Sequence, residues 1–239
     1  MRTIRWEEYK ADGVTLVRQI FPQRVQDDLK LGWQTLKQQF VEGSIERNAR
    51  FVSGILPEPL GSLYRQESLV HAAQTLLGTE DVALYMNRIL LKDAAWNGPV
   101  AIHQDMPYFS GGVVKVSIFV PLAPTQARNG NGGLIFVKGS HKYGNLQRGT
   151  IRREVFAPMD DAAPDLEIGD AVLMDFLTWH YSEQAPIPDE RPLMQIVYQP
   201  ASDGSYTTAK LGVAQPTLVS GKWLTNHFAA WGESTIPDA

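Results

Sequence analysis

The stretch Asp81-Val82-Ala83-Leu84-Tyr85-Met86-Asn87-Arg88-Ile89-Leu90-Leu91-Lys92 marks a change of character in the chain. It predicts a strand over Val82–Lys92. From here on, short runs of this kind alternate with Gly, Pro, Asn and Asp. Further strands are predicted at Val100–Asp105, Val113–Leu122, Gly133–Val137, Ala171–Phe176 and Leu193–Gln199. The turns between them include Gly111-Gly112, Asn129-Gly130-Asn131-Gly132 and Gly169-Asp170. Gly144–Pro164 is polar and patternless and reads as a long loop.

The region before Asp81 has the other periodicity. Val25, Leu29, Trp33, Leu36 and Phe40 recur at three- and four-residue spacing, with Pro22 near the first turn and Glu42-Gly43 near the end. Ser68–Leu77 predicts a second helix, with Ser68 as cap and Gly78 as terminator. Gly13–Val17 is a short strand-like run, and Trp223–Trp231 reads as a last amphipathic helix. Helices ahead of roughly eight short strands predict a mainly β jelly roll buttressed by N-terminal helices. With no repeat or linker, residues 1–239 read as one domain, with a helical segment over 1–80, a core over 81–200 and an extension over 201–239.

Composition narrows the function. The 239 residues contain no cysteine, which excludes disulfides, thiol nucleophiles and thiolate metal sites. Any metal must sit on His, Asp or Glu. The net charge of -4, with scattered basic residues, argues against nucleic acid or an anionic membrane as partner. There is no run of apolar residues long enough to span a bilayer and no apolar signal core near the N-terminus. A cytoplasmic location is expected.

Ala101-Ile102-His103-Gln104-Asp105 carries the chemistry. Alternate strand residues share a face, so His103 and Asp105 should project together and Gln104 should face outward. An imidazole and a carboxylate so placed can bind one divalent metal, and a second His completes a facial triad. Among His71, His103, His141, His180 and His227, His180 is the best third ligand, following the run Ala171–Phe176. Ser182 lies two positions on and Arg191 eleven. A permanently charged guanidinium there suits bidentate grip of a distal carboxylate, and Ser182 can donate to the same group. Each has an ordinary reading beside it. His103 and Asp105 could be a hydrogen-bonded surface pair, His180 a structural His, and Arg191 a salt-bridge partner of Asp189 or Glu190. His141 reads as structural, His71 as an ordinary helix residue, and His227 or Asn226 could close over the site.

His103-Gln104-Asp105, Asn131 to Lys142 (with Gly139-Ser140-His141), Gly169-Asp170, His180, Ser182 and Arg191 together resemble the phytanoyl-CoA dioxygenase family, from about Trp6 to Gln199. These are iron(II)- and 2-oxoglutarate-dependent oxygenases with a double-stranded β-helix, or cupin-like jelly-roll, core. The resemblance implies His103, Asp105 and His180 as ligands of Fe(II), with O2 as the further reactant. It implies Arg191 and Ser182 as anchors of 2-oxoglutarate, and Asn87 and Lys92 as further co-substrate contacts. Lys138 stands where the family usually has Pro, and Tyr181 where it usually has Gly.

Met106-Pro107-Tyr108-Phe109 follows Asp105 directly, so Met106, Tyr108 and Phe109 either line a substrate pocket or shield the metal from water. The reaction expected is hydroxylation, desaturation or epoxidation of a small or medium metabolite, with release of succinate and CO2. The short chain and the lack of a basic patch disfavour an acyl-CoA substrate, and Asp105 argues against halogenation. A cupin-type metal enzyme that uses no 2-oxoglutarate, or a non-catalytic jelly roll, are the rival readings. The first predicts Arg191 turned away from the metal. The oligomeric state is left open.

Overall fold

A computed structural model describes residues 4–41, 51–52, 56–109, 115–128, 130–146, 152–185, 190–203 and 217–222. The described helices are α1 (Trp6–Asp12), α2 (Gln23–Val41) and α3 (Glu67–Leu77). The strands are β1 (Val14–Val17), β2 (Phe51–Val52), β3 (Val82–Lys92), β4 (Val100–His103), β5 (Val116–Pro121), β6 (Leu134–Val137), β7 (Asp161–Ala162), β8 (Ala171–Asp175), β9 (His180–Ser182), β10 (Arg191–Pro200) and β11 (Thr217–Ser220). They form two antiparallel sheets. The larger runs β1-β8-β5-β10-β3-β11, with β2 also paired to β3; the smaller runs β4-β9-β6-β7. This is the jelly roll expected from the strand pattern.

Three layers follow from the alternation of side chains along the large sheet. Ile89, Val116, Ile118, Val120, Leu173, Met194 and Ile196 point to the helices and share one apolar cluster with Leu29, Leu36, Leu69 and Ala73. Phe119, Val172, Met174 and Leu193 point the other way, to Leu134 and Phe136 of the small sheet. The large sheet is therefore covered on both faces, and its strands carry few polar residues. Those few are informative, because Arg88, Ser117 and Gln195 are buried on the inner face.

The N-terminal segment supports the approach to β9. Gly13 ends α1 with φ 75°, and a Cβ there would lie 2.4 Å from Thr178 Oγ1 and 2.5 Å from His141 Nδ1. Only glycine allows both the left-handed turn and the close approach. Its carbonyl accepts from Thr178 Oγ1 at 2.8 Å and from the Asp175 N–H at 2.8 Å. Ser140 extends the same support. Its Oγ donates to the Val137 carbonyl at 2.6 Å and accepts from the Trp179 N–H at 2.9 Å. The Gly-Ser-His segment thus pins the residue before His180 to the end of β6.

Several expectations need correction. The first strand with a ligand stops at His103, and Asp105 already has helical backbone angles at the head of a 3₁₀ turn, Met106–Tyr108. Gln104 does not face outward. It is buried, donates to the Gly144 and Leu177 carbonyls at 2.8 and 2.6 Å, and accepts from the Leu146 N–H at 3.0 Å. The cap of α3 is Gln66 rather than Ser68, with no side-chain cap bond. The segment read as a loop holds a 3₁₀ turn at Arg153–Phe156 and the strand β7. β2 and β9, of two and three residues, are too short to leave a periodic signal. The Gly111-Gly112 turn and the helix read at Trp223–Trp231 lie outside the described residues, as do Asn226 and His227.

Leu36 is fully buried under the large sheet, whereas Leu31 on the same helix is 59% exposed. Leu36→Ala is expected to lower stability by about 2–5 kcal/mol. Leu31→Ala should change it by no more than about 0.5 kcal/mol. Denaturant unfolding of the two variants checks this.

Candidate active site

β4 and β9 are neighbours in the small sheet, and their register sets His103 opposite His180. The two rings lie 4.3 Å apart. Each Nδ1 faces a backbone carbonyl two residues back, Ala101 O at 2.8 Å and Thr178 O at 3.0 Å. A carbonyl only accepts, so Nδ1 carries the proton and Nε2 presents its lone pair. Asp105 Oδ1 lies 3.7 Å from His103 Nε2 and 3.9 Å from His180 Nε2. One donor atom from each of the three residues falls within 4.8 Å of the others. Such a set can hold an ion at roughly 2.0–2.2 Å from N and O donors, in the two-His, one-carboxylate pattern of non-haem iron. Burial first, and then the neighbouring His103, drives the His180 pKa down to about 4, against the opposing pull of Asp105. The ring is therefore neutral at physiological pH, as ligation requires.

The large sheet supplies the opposite wall. Asp105 Oδ2 accepts from Gln195 Nε2 at 2.9 Å and Ser117 Oγ at 3.3 Å, and Gln195 Oε1 accepts from Arg88 Nε at 2.8 Å. Sequence reading passes over these three residues. The available signal is a polar side chain at an inward position of an otherwise apolar strand.

Arg191 opens β10, only 2% exposed, and lines the same cavity as His103, Asp105 and His180. Its Nε and Nη1, like Ser182 Oγ, find no hydrogen-bond partner among the described residues. Burial lowers the guanidinium pKa to about 10, so it stays charged. Glu190, one alternative partner, is engaged instead by Lys37 at 2.9 Å; Asp189, the other, lies outside the described residues. Buried charged donors are rarely left unmatched, and a carboxylate is a group that a guanidinium fits. The cupin-type reading had Arg191 turned away, which it is not.

Lys92 pairs with Arg191 across β3 and β10. Its Nζ donates to the Glu183 carbonyl and lies 5.7 Å from the Trp96 ring. Burial, followed by the Arg191 charge, lowers its pKa to about 7, with Glu183 opposing. Asn87, in contrast, is not brought to the site. Its amide donates to the Leu60 and Gly61 carbonyls at 3.4 and 3.3 Å, on the helix-facing side of β3. Of the residues after Asp105, Met106 packs against Tyr85, Met86, Phe176 and Val197. Phe109 packs against Phe176, the rings tilted 37° and 5.4 Å apart, and lies under Arg88, its ring 5.7 Å from the guanidinium carbon. Tyr108 is 47% exposed, with its ring 6.0 Å from that of His103. His141 points to the Lys10 carbonyl at 3.2 Å, a structural contact.

The sequence profile of the Phytanoyl-CoA dioxygenase (PhyH) family matches residues 9–187. The chain belongs to this family. It is therefore an oxygenase-type enzyme of the iron(II)- and 2-oxoglutarate-dependent class, and the His103, Asp105, His180 set and the Arg191 cradle fit both groups. No curated protein sequence matches. Among solved structures, EctD from S. alaskensis with 2-oxoglutarate and 5-hydroxyectoine has TM-score 0.72 and 22% identity, covering 92% of this chain and 84% of its own. The epimerase SnoN in complex with Fe3+, alpha ketoglutarate and nogalamycin RO has TM-score 0.71 and 18% identity, covering 84% of each chain. The carbocyclase SnoK from nogalamycin biosynthesis has TM-score 0.67 and 16% identity, covering 94% of this chain and 88% of its own. At these identities the likeness is one of fold. No helix among the described residues is long and apolar enough to cross a membrane.

Asp105→Ala removes the one carboxylate of the candidate set and the shared acceptor of Gln195 and Ser117. Iron affinity is expected to fall at least about tenfold, measured as bound metal after anaerobic chelator competition, with the fold retained by circular dichroism.

Proposed function

We propose that this family member hydroxylates a small or medium metabolite, using iron(II), 2-oxoglutarate and O2 and releasing succinate and CO2. The observation that carries the reading is the buried Arg191 guanidinium, with unpartnered Nε and Nη1, in the cavity of the His103, Asp105, His180 set. In this reading His103 Nε2, Asp105 Oδ1 and His180 Nε2 hold the iron. Arg191 and Ser182 receive the distal carboxylate of 2-oxoglutarate. When bound, iron with 2-oxoglutarate supplies the oxidation of an unactivated C–H bond.

The chain's own residues do the rest. Leu90, Val100, Phe119 and Leu134 line the cavity and keep water from the reacting groups. Lys92 adds a second cation beside Arg191. Tyr108, exposed next to His103, forms a rim that a substrate meets. Phe109 and Met106 stiffen that rim from behind rather than line it. The family's known variety of outcomes makes desaturation or epoxidation the alternatives to hydroxylation at the same site. A single catalytic domain over residues 1–239 and a cytoplasmic location belong to the same proposal. They are supported by the core shared between helices and large sheet and by the absence of cysteine, which suits a reducing compartment.

Incubation with iron(II), ascorbate and 2-oxoglutarate should yield succinate slowly without substrate, and a candidate metabolite should gain one oxygen by mass spectrometry. Arg191→Met removes charged hydrogen bonds of about 1.5–3 kcal/mol each. Losing even one of them should raise the 2-oxoglutarate requirement by at least roughly 10- to 150-fold, while metal content stays unchanged. No succinate from the wild type, or an unchanged requirement in the variant, would contradict the assignment.

Lys92 adds a pH dependence. A bound dianion favours charged Lys92 and raises its pKa above about 7. Binding therefore takes up a proton above that pH. The affinity for 2-oxoglutarate should weaken as pH rises beyond about 7, approaching tenfold per unit. Lys92→Met should flatten the slope, as read by calorimetric titration across pH 6–9.

A further inference from the structure

The two oxygens of Asp105 are treated differently by the protein. Oδ1 faces the two imidazoles at 3.7 and 3.9 Å. Oδ2 is turned to the large sheet, where Gln195 Nε2 donates at 2.9 Å and Ser117 Oγ at 3.3 Å. Ser117 Oγ also receives the Gln195 amide at 3.2 Å, so the three groups form one buried cluster.

The orientation of the Gln195 amide decides the outcome. One end must be a donor for Oδ2 to be satisfied; the reversed amide would set its carbonyl oxygen against a carboxylate. Arg88 determines which end is which. A guanidinium has only donors, so the end of Gln195 that meets Arg88 Nε, at 2.8 Å, has to be the oxygen. The NH2 end is thereby aimed at Asp105. Arg88 and Gln195 are direct cross-strand partners on β3 and β10, which keeps the contact rigid.

We propose that Arg88 and Gln195 are positioning residues that hold Asp105 as a one-oxygen metal ligand and so keep a coordination position open for 2-oxoglutarate. The proposal rests on the iron reading above. With Oδ2 released, the carboxylate can swing and close both oxygens on the ion. The metal is then kept, but the position needed by a chelating co-substrate is taken. The electrostatics agree: the buried Arg88 charge lies close enough to Asp105 for the carboxylate to oppose the burial-driven fall of its pKa.

The test uses the full chain under anaerobic conditions. Cobalt(II) is titrated first, as a spectroscopic stand-in for iron. 2-Oxoglutarate is then titrated into the iron(II) protein and followed by visible absorption. Wild type, Gln195→Leu, Arg88→Met and Arg88→Lys are compared. Gln195→Leu and Arg88→Met should bind cobalt within about tenfold of wild type but with an altered ligand-field spectrum. Both should need at least about tenfold more 2-oxoglutarate. Arg88→Lys, whose ammonium also only donates, should restore the wild-type spectrum. If Gln195→Leu does not fold, the Arg88 pair decides the matter. Wild-type spectra and affinities in Gln195→Leu and Arg88→Met, or Arg88→Lys behaving like Arg88→Met, overturn the proposal and leave the iron reading intact. A wild type that binds no cobalt overturns both.

Discussion

The pairing of β4 with β9 is the constraint from which the active site grows. It sets His103 opposite His180 with the two rings 4.3 Å apart, so that both Nε2 lone pairs face one cavity that a cation can enter. Each ring is fixed by a carbonyl two residues before it, Ala101 O for His103 and Thr178 O for His180. Asp105 closes the set because the chain leaves the strand in a tight turn. The N-terminal helix and the Gly139-Ser140-His141 segment then converge on Thr178 and Trp179, just before His180. Much of the framework around β9 serves to keep one ring in place.

The charges inside the cavity have a direction. Arg191 pairs with Lys92 at one end of β10 and β3, and Gln195 with Arg88 four residues along, about 13 Å away at strand spacing. The first end concentrates positive charge: Glu183 faces Lys92, but Arg191 Nε and Nη1 find no partner among the described residues, which suits a carboxylate brought in from solution. At the other end Arg88 is tied through Gln195 to Asp105.

Much of this architecture was legible in the chain. The strand read at Val82–Lys92 has the same limits in sequence and in structure. The stripe from Val25 to Phe40 marked the helix that covers the large sheet. His103, Asp105, His180 and Arg191 could be picked out by residue type and spacing. Asn87 could not be placed correctly. A β-strand gives its residues one of two faces, and nothing local says which face looks to the helices and which to the metal. Gln104 was misjudged for the same reason: facing away from the metal was equated with facing solvent, when loops at Gly144 and Leu177 fold over it.

Residue types and their periodicities point to a jelly roll, and together with the family resemblance they single out His103, Asp105 and His180 as a candidate metal set, because burial and metal ligation both demand particular side chains. Contacts between residues far apart in the chain are another matter. The Arg88, Gln195, Ser117 and Asp105 cluster joins four separate segments, and the emptiness around Arg191 Nε and Nη1 is a property of every group that fails to reach them. Both exist only once strand register and sheet packing bring these segments together.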